Sequence, residues 1–547
     1  MLARFALYFH TVRYLKQVQI WGRIWYRFFS VALSDKPVPI VRAVAGKWIC
    51  GSERKPSMLA AHRFSFLNQE ADVPGAADWQ RGDMPLLWLY NLHYFDDLNA
   101  QGADERADWH QQLIKRWVSE IPLMQGVGWQ PYPISLRSVN WIKWQLQGNA
   151  LPDDAAASLA LQVRFLRSRL EIHLLGNHLW ANAKALVFAG CFFEGEEADE
   201  WLDKGLALLK RESSEQILDD GGHFELSPMY HATVLEDLLD LAQLATLYPQ
   251  RLAASLRDGW VRYAQSMFTW LAAMSHPDGG ISFFNDATHG IAPDLSALTH
   301  YATALQLPND SAEAKTQLLA DSGYVRAQNA AACLIADVGR IGPDYLPGHA
   351  HADTLSFELS LFGRRVVVNQ GIDRYGAEQE RVRQRGTAAH STVQVDDADS
   401  SEVWSGFRVA RRAYPQQLAF EQNDGAVFVY CAHDGYRRLP GRVTHHRTWA
   451  LTDQTLTVTD SLSGKSNKAV AFFHLHPSVR VTSAGVRDCV LDVDGHEVNV
   501  VFTGGKLTIC AGVYHEGFGL TAPTNTLHVL MTTAQLSTQI RWETDNH

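Results

Sequence analysis

Side chains that can transfer protons or bind anions occur in four short clusters of this sequence, separated by long apolar stretches. The first cluster, LLGNHLWANAKALVFAG, places Asn177 and His178 where a helix is expected to begin. An N-cap role for the Asn is the alternative to a role in chemistry. The second, DGGHFELSPMYHATVLEDLLDL, brings Glu225, Tyr230 and His231 into a loop that leads directly into a helix. Imidazole, carboxyl and phenol groups in such a loop suit general acid–base chemistry on a bound substrate.

The third cluster, GHAHADTLSFELSLFG, carries His349 and His351 just before or at the start of a predicted strand. Residues at i and i+2 of a strand point to the same face, so we expect the two imidazoles to lie side by side near Asp353. Such a pair can bind a metal ion or act on a substrate. Two solvated loop histidines are the structural alternative.

The fourth cluster, RVRQRGTAAHSTVQVDD, places Arg381, Arg383 and Arg385 ahead of His390 at the entrance of another predicted strand. Guanidinium groups bind carboxylate or sulfate through two parallel hydrogen bonds, so these arginines are candidates for gripping an acidic ligand. A solvated basic loop explains this segment equally well when it is taken alone.

The elements expected to position the first two clusters are helices. From roughly residue 100 to residue 320, apolar residues recur at helical spacing in blocks such as ISLRSVNWIKWQL and VLEDLLDLAQLATLY. Short loops such as LPDD and SHPDGG separate the blocks. This half is therefore predicted to be an array of antiparallel helix pairs.

The elements expected to position the last two clusters are strands. After about residue 325 the sequence changes to short β-branched or alternating runs such as RRVVVNQG, QTLTVTDSL and HEVNVVF, separated by Gly, Asp and Asn turns. We predict a helical domain at 1–325, with 1–100 as an extension packed on it, and an antiparallel β-sandwich at 326–547. Ligand sites concentrate in clefts between such domains.

Composition narrows the possible ligands. The net charge of −10 and the pI of about 6.1 argue against a nucleic-acid-binding protein. A local basic patch in a cleft could still bind an acidic glycan. The six cysteines are scattered without a CxxC pair, so neither a disulfide framework nor a cysteine zinc site is indicated.

The first 29 residues, MLARFALYFHTVRYLKQVQIWGRIWYRFF, are interrupted by basic residues at Arg4, Arg13, Lys16 and Arg23. They contain no clean signal-peptide core and no membrane span. We interpret them as an amphipathic helix and expect a cytoplasmic location unless another export route exists. A basic amphipathic helix could also contact a membrane surface.

Taken together, these segments resemble the heparinase II/III family of polysaccharide lyases. The resemblance runs through most of the chain, in the order WLYNLHYFDDL, GWQPYPISLRSVNWIKW, GNHLWAN, DGGHFELSPMYH, FFNDATHG, GHAHADTLSFEL and GTAAHSTVQVD. It implies a multidomain α + β fold in which an incomplete α/α toroid precedes an antiparallel β-sandwich. It also implies an enzyme that cleaves a uronate-containing glycan by β-elimination.

Matching the motifs residue by residue, the resemblance implies that Asn177 and His178 neutralise the uronate carboxylate and that Tyr230 and His349 transfer the protons. The C5 proton beside an ionised carboxylate is very weakly acidic, so donors to that carboxylate lower the barrier. Which of Tyr230 and His349 takes the proton stays open. Tyrosine has a pKa of about 10 and would need a cationic or hydrogen-bonding neighbour to act as the base.

The resemblance also implies a divalent metal, usually zinc, held here by His351, Asn369 and His390. The family commonly has Asp where this chain has Asn369. A neutral amide oxygen is a poorer zinc ligand than a carboxylate, so a weaker site, a harder ion such as manganese or calcium, or no ion are the alternatives. The ion is expected to be structural, and no organic cofactor is indicated.

A second group of polar and aromatic residues is predicted to contact an acidic polysaccharide or oligosaccharide. They are Trp129, Arg137, Asn140, Glu225, His231 and Arg385. Glycosaminoglycan-like, alginate-like and capsular polymers are all compatible with the same chemistry. A uronyl C5-epimerase and a non-catalytic glycan-binding or assembly protein are the alternatives to a lyase.

Overall fold

The helical spacing of apolar residues in the first half of the chain produces long helices, as predicted. The structure is a computed structural model that describes residues 2–31, 36–51, 54–309, 315–423 and 425–543. The helices are α1 (Leu2–Val12), α2 (Gln17–Phe28), α3 (Leu86–Tyr94), α4 (Ala107–Glu120), α5 (Pro131–Leu146), α6 (Ala155–Ser168), α7 (Gly176–Phe192), α8 (Glu196–Gln216), α9 (Pro228–Leu247), α10 (Ala254–Ala273), α11 (Leu295–Ala304) and α12 (Gln379–Gln384). Within the described ranges, no helix is long and apolar enough to cross a membrane.

Helix α7 occupies the centre of the helical half. It packs against α5, α8 and α9, and every one of its residues except His178 is buried. Large indoles fill the surrounding core, including Trp141 of α5, Trp180 of α7 and Trp270 of α10. Much of the unusual tryptophan content therefore stabilises the helical array.

Strands dominate the second half and form two large antiparallel sheets. The strands are β1 (Met58–Ala60), β2 (Arg63–Phe66), β3 (Gln69–Asp72), β4 (Gln317–Leu319), β5 (Tyr324–Gln328), β6 (Ala332–Asp337), β7 (Phe357–Leu361), β8 (Arg364–Val368), β9 (Val393–Val395), β10 (Val403–Trp404), β11 (Arg408–Val409), β12 (Pro415–Asn423), β13 (Ala426–His433), β14 (Thr444–Leu451), β15 (Thr455–Ser463), β16 (Ala469–Leu475), β17 (Arg480–Ala484), β18 (Asp488–Val493), β19 (His496–Thr503), β20 (Gly505–Gly517), β21 (Leu520–Met531) and β22 (Gln535–Trp542). One sheet has the order β20-β21-β16-β8-β7-β6-β5-β4, with β9 also paired to β16, and the other has the order β12-β13-β14-β15-β22-β19-β18-β17.

The two large sheets share one apolar core. Alternating strand residues supply it, such as Leu334 and Phe357 from the first sheet and Trp449 and Val458 from the second. A helical array followed by an antiparallel sandwich confirms the predicted fold class. The division at residue 325 remains a prediction, and the first sheet already begins with β4.

Strand β7 is tied to the helical half by a buried carboxylate. Glu358 lies 2.7 Å from Nε2 of His276, and both side chains are fully buried. The other oxygen of Glu358 accepts hydrogen bonds from the backbone N–H groups of Phe283 and Asn369. One side chain therefore fixes the loop after α10, which carries Asp286, against the sheet.

We predict that Glu358→Ala lowers the free energy of unfolding by about 3–5 kcal/mol, because it leaves His276 and two backbone donors buried without their acceptor. Urea or thermal unfolding would measure this. The matched control is Asp494→Ala, which breaks the exposed pair with Arg364 and should cost about 0–1 kcal/mol. Equal effects of the two substitutions would contradict the role given to Glu358.

Candidate functional site

A cleft of about 1650 Å³ runs between the helical half and the first sheet. Its walls come from α5, α7 and α9 and from the loops around residues 290, 348, 375 and 518. Asn177, His178, Glu225, Tyr230 and His349 all line it. Three of the four clusters found in the sequence therefore meet in one place.

The imidazole of His349 is oriented by a buried carboxylate. Its Nδ1 lies 2.8 Å from Oδ2 of Asp286, so the ring donates from Nδ1 and turns Nε2 away from that carboxylate. Nε2 lies 3.5 Å from Oε2 of Glu225. The ring nitrogen available for proton transfer therefore lies at the cleft wall, beside a second carboxylate.

Asp286 stays ionised although it is fully buried. Burial acts to raise its pKa, but Arg381 and the hydrogen bonds from His349 and His351 outweigh burial and hold the pKa well below its usual range. Arg381 approaches both oxygens, at 2.6 and 2.7 Å. A fixed negative charge therefore lies behind the His349 ring.

The ring of Tyr230 packs against that of His349. Tyr230 lies in the first turn of α9, which begins at Pro228 and is capped by the Ser227 hydroxyl, an acceptor for the Tyr230 N–H at 3.2 Å. The rings of Tyr230 and His349 have centroids 4.0 Å apart, and the Tyr230 hydroxyl lies 2.9 Å from that of Tyr375. Burial, followed by Tyr375 and Asp286, raises the pKa of Tyr230 well above its ordinary value. The phenol therefore holds its proton at neutral pH.

Asn177 lies in the first turn of α7, and its approach to Glu225 requires a glycine. Leu175 is the N-cap of α7, so the N-cap alternative for Asn177 is wrong. The Asn177 backbone N–H donates to Oε1 of Glu225 at 3.0 Å. Gly176 has φ +55°, and a Cβ there would lie 2.3 Å from the same oxygen. The helix start therefore presents the Asn177 side chain to the cleft.

The imidazole of His178 lies beside the carboxylate of Glu171. Its Nδ1 lies 3.1 Å from Oε1 of Glu171, whose other oxygen accepts a hydrogen bond from Asn182. Burial acts to lower the pKa of His178, but Glu171 outweighs it and raises the pKa. An amide from Asn177 and an imidazolium from His178 can thus bind one carboxylate of a ligand.

Most other cations of the cleft are already neutralised by protein carboxylates. Arg54 pairs with Glu236 at 2.6 Å, and Arg374 pairs with Asp373 at 2.8 Å. Three further pairs, between lysines and aspartates, are Lys143 with Asp240 and Lys184 with Asp237 and Asp240. Four of the seven described Lys and Arg side chains that line the cleft are thus paired with protein carboxylates, and Arg23, Lys55 and Arg408 are the other three.

Comparisons with known proteins agree with this geometry. Family models described as heparinase II/III N-terminus and heparinase II/III-like, C-terminal, match residues 109–314 and 312–543. The chain belongs to the heparinase II/III family. It is 26% identical over 383 residues to a heparin-sulfate lyase of Bacteroides stercoris, covering 60% of this chain and 56% of that protein. It is 25% identical over 431 residues to a heparin-sulfate lyase of Pedobacter heparinus, covering 64% and 63%. The chain thus spans less than two thirds of each of these relatives.

Solved structures resemble this family member over nearly its whole length. The crystal structure of a heparinase III matches with a TM-score of 0.69 at 15% identity, covering 96% of this chain and 89% of that one. A heparan sulfate lyase from Pedobacter heparinus matches with a TM-score of 0.57 at 16% identity, covering 97% and 88%. At this identity the likeness shows the shared toroid and sandwich.

Two predicted substrate contacts of the helical half lie in its core. Trp129 is buried against Trp117 and Phe165. Arg137 is fully buried and donates to Gln162 and to the carbonyl oxygens of His93 and Gly128. Neither side chain lines the cleft. Both predictions are corrected, because these side chains brace the toroid.

His231 and Arg385 are also placed away from the cleft. His231 is buried, stacks on Trp270 and contacts the Met267 carbonyl oxygen through Nε2 at 2.9 Å. Arg385 is buried and donates to the Ala350 carbonyl oxygen at 2.7 Å, so it braces the loop that carries His349. These locations therefore indicate that His231 and Arg385 hold neighbouring parts of the protein in place and do not contact substrate.

Asn140 and Glu225 do line the cleft. The amide of Asn140 is already engaged, donating to Tyr94 and Asp96 and accepting from Asn99. Glu225 contacts the start of α7 and His349, as described above. Of the predicted substrate contacts, Glu225 is therefore the one nearest the proton-transfer residues.

Sequence reasoning assigned no role to two residues of the site, Asp286 and Tyr375. Asp286 belongs to the FFNDATHG segment, which carried the family resemblance and was therefore available as a signal. Tyr375 follows β8 in a loop with no motif of its own. Arg381 was expected to grip a ligand, but it binds Asp286 instead.

The predicted metal ligands fit a divalent ion only in part. Nδ1 of His351 and Nε2 of His390 lie 3.2 Å apart, close to the spacing of two nitrogens around one zinc at about 2.0–2.1 Å. Asn369 uses its Oδ1 to accept from the Ser391 N–H, and its buried Nδ2 has no hydrogen-bond partner among the described residues. Within those residues, no three His, Cys, Asp or Glu side chains are placed to hold a metal ion. Bound metal therefore remains a prediction.

We predict that Asn369→Asp increases zinc binding severalfold, because it adds the missing anionic oxygen beside the two imidazoles. Metal analysis of purified protein after equilibration with zinc would measure this, with the wild type retaining well under one ion per chain. Asn499→Asp, on an exposed position of β19, is the control. Full zinc occupancy in the wild type, unchanged by Asn369→Asp, would contradict the argument.

Proposed function

We propose that this chain is a polysaccharide lyase that cleaves a uronate-containing glycan by β-elimination. The observation that carries the proposal is the packing of the Tyr230 ring against a His349 ring that Asp286 orients. Asn177 and His178 line the same cleft. A proton acceptor, a proton donor and a carboxylate-binding pair thus share one cleft, as elimination requires.

The first step assigned to the site is charge stabilisation. Asn177 and His178 bind the uronate carboxylate and strengthen their hydrogen bonds as negative charge moves onto it during loss of the C5 proton. One well-placed donor of this kind contributes roughly 3–4 kcal/mol to lowering a barrier. Glu171 raises the pKa of His178, which favours the charged form of this donor.

The second step is proton transfer at C5 and O4. Nε2 of His349 takes the C5 proton, and the electron pair of that C–H bond forms the C4–C5 double bond. The C4–O4 bond breaks, and the Tyr230 hydroxyl gives its proton to the departing O4. The resulting imidazolium lies between the carboxylates of Asp286 and Glu225, and it returns a proton to the adjacent Tyr230, which restores both groups.

The relatives support the reaction class. The curated relatives are named heparin-sulfate lyases, and the matching structures include a heparinase III and a heparan sulfate lyase. The names of these relatives thus describe lyases, the class of enzyme that we propose for this chain. An acidic polysaccharide as substrate is the corresponding proposal for this chain.

We further propose that the preferred polymer carries carboxylates but few or no sulfates. Lys143, Lys184, Arg54 and Arg374 line the cleft, yet each is paired with a carboxylate of the protein. Binding a sulfate would require breaking such a pair and leaving a carboxylate beside the ligand, which is costly in a partly buried site. The Asn177 and His178 pair provides for one uronate at the reacting position.

We predict that Tyr230→Phe and His349→Ala each lower kcat at least about a hundredfold, because each removes a proton-transfer group. The assay is the ultraviolet absorbance of unsaturated uronate ends during incubation with a panel of uronate polymers. Non-sulfated polymers should be cleaved faster than their sulfated counterparts.

The control variant is Asn309→Ala, an amide at the end of the helical half that lies outside the cleft. It should retain full activity. If the parent protein binds uronate polymers but cleaves none of them, the chain is a binding protein. If it exchanges the C5 hydrogen without new absorbance, it is an epimerase. Either result would overturn the lyase proposal.

We predict that Glu171→Gln moves the alkaline limb of kcat/KM to lower pH. Glu171 raises the pKa of His178, so its neutralisation lowers that pKa and His178 loses its charge at a lower pH. Measuring kcat/KM against pH tests this. Glu197→Gln, which disturbs the pair with Arg164 elsewhere in the helical half, is the control and should leave the limb in place. An unmoved limb in Glu171→Gln would show that the charge of His178 is not used.

A further inference from the structure

The second N-terminal helix, α2, packs on the protein through polar and small residues. On α2, the buried Gln19 donates to the Tyr345 carbonyl oxygen at 3.0 Å. A Cβ on the buried Gly22 would lie 2.8 Å from Cβ of His173. These residues recur at helical spacing and define the inward face of α2.

The opposite face of α2 is apolar and points to solvent. Trp21 and Phe28 are 68% and 77% exposed, and Ile20 and Ile24 on the same side are also exposed. A helix of a soluble domain ordinarily shows the reverse arrangement, with its apolar stripe inward. Helix α2 therefore turns its apolar face to solvent and its polar and small residues to the protein.

Helix α1 continues the exposed apolar surface. Phe5 is 72% exposed, and Phe9 and Val12, four and seven residues further on, are exposed as well. The helix is held by Tyr8, whose ring packs edge-on against Trp404 at 4.9 Å. Aromatic side chains of both helices thus remain uncovered while the helices themselves are anchored. Contiguous exposed apolar patches of this kind mark interaction sites.

The charge of this segment is opposite to that of the whole chain. Residues 2–31 contain Arg4, Arg13, Lys16, Arg23 and Arg27 and no Asp or Glu, whereas the chain carries a net charge of −10. Lys16 pairs with Glu215 of the protein body, while the four arginines are exposed. The segment also lies outside residues 109–543, which the family models match.

We propose that α1 and α2 bind the interface of a lipid bilayer that contains anionic headgroups. Aromatic and branched apolar side chains on an uncovered helix face, accompanied by arginines and free of carboxylates, are the features of helices that lie in a membrane surface. Tryptophan side chains favour the headgroup region, where the ring is buried and the N–H stays solvated. The arginines add electrostatic attraction to anionic lipid.

Membrane binding would fix the position of the cleft. Tyr8, Thr11 and Arg23 belong to α1 and α2 and also line the cleft. A bound bilayer would therefore lie next to one end of the cleft. Glycan attached to, or emerging from, that surface would reach the site without free diffusion. The proposal itself concerns binding and stands independently of the lyase chemistry.

The test is co-sedimentation of the full chain with vesicles of equal parts phosphatidylcholine and phosphatidylglycerol, and with vesicles of phosphatidylcholine alone. Wild type should bind the anionic vesicles, and added salt should weaken binding. The double substitution Trp21→Ser, Phe28→Ser should weaken partitioning by roughly tenfold or more, since it removes two exposed aromatic groups. Its thermal unfolding midpoint should match that of the wild type, because neither side chain is buried.

The matched control is Val486→Ser, an exposed apolar position at 64% on the sandwich, which should leave vesicle binding unchanged. Three results would overturn the proposal. One is equal binding to both kinds of vesicle. Another is binding to neither kind. The last is a dimer in light scattering that the double substitution abolishes, because a second copy would then cover the face.

Discussion

The buried carboxylate of Asp286 is the interaction on which the site depends. It comes from the loop after α10, contacts His349 and His351 from the loop before β7, and receives Arg381 from α12. Without Arg381, a charge in this position would carry a large desolvation cost. With it, one ionised group orients the proton-transfer imidazole and joins the helical half to the sheet.

The same reasoning explains why so many polar groups of this protein are buried in pairs. Glu358 binds His276 across the two halves, and Glu171 binds His178 beneath the cleft. Each pair fixes the orientation of its histidine ring. Several basic side chains of the cleft are likewise paired with protein carboxylates, so they are not free to bind the sulfates of a heavily sulfated ligand.

Much of the fold could be predicted from the sequence, because it follows from local periodicity. Apolar residues at helical spacing formed the helices of the first half, and alternating runs formed the strands of the second. The clustering of Asn177, Tyr230 and His349 in one cleft was predicted from the family resemblance. Residue type does not reveal burial, however. Arg137 and Arg385 carry guanidinium groups, which are suited to binding acidic sugars. Both side chains are buried, however, and donate their hydrogen bonds to backbone carbonyl oxygens that are distant in the sequence.

Long-range contacts account for the remaining differences. Asp286 and Tyr375 lie far apart in the chain and gain their places from the packing of two halves, which no local pattern encodes. The inverted polarity of α2 was likewise hidden, since an amphipathic helix has the same sequence pattern whichever face is buried. Only the contacts of Gln19 and Gly22 show that the aromatic face is the outer one.

The central claim is that His349 and Tyr230 carry out elimination in the cleft. The most direct measurement is mass spectrometry of the oligosaccharides released from a non-sulfated uronate polymer in deuterium oxide. Elimination predicts chain ends that are lighter by one water than hydrolysis products, with no deuterium bound to C5. Ends that have gained water, or uncleaved polymer with deuterium at C5, would contradict the account.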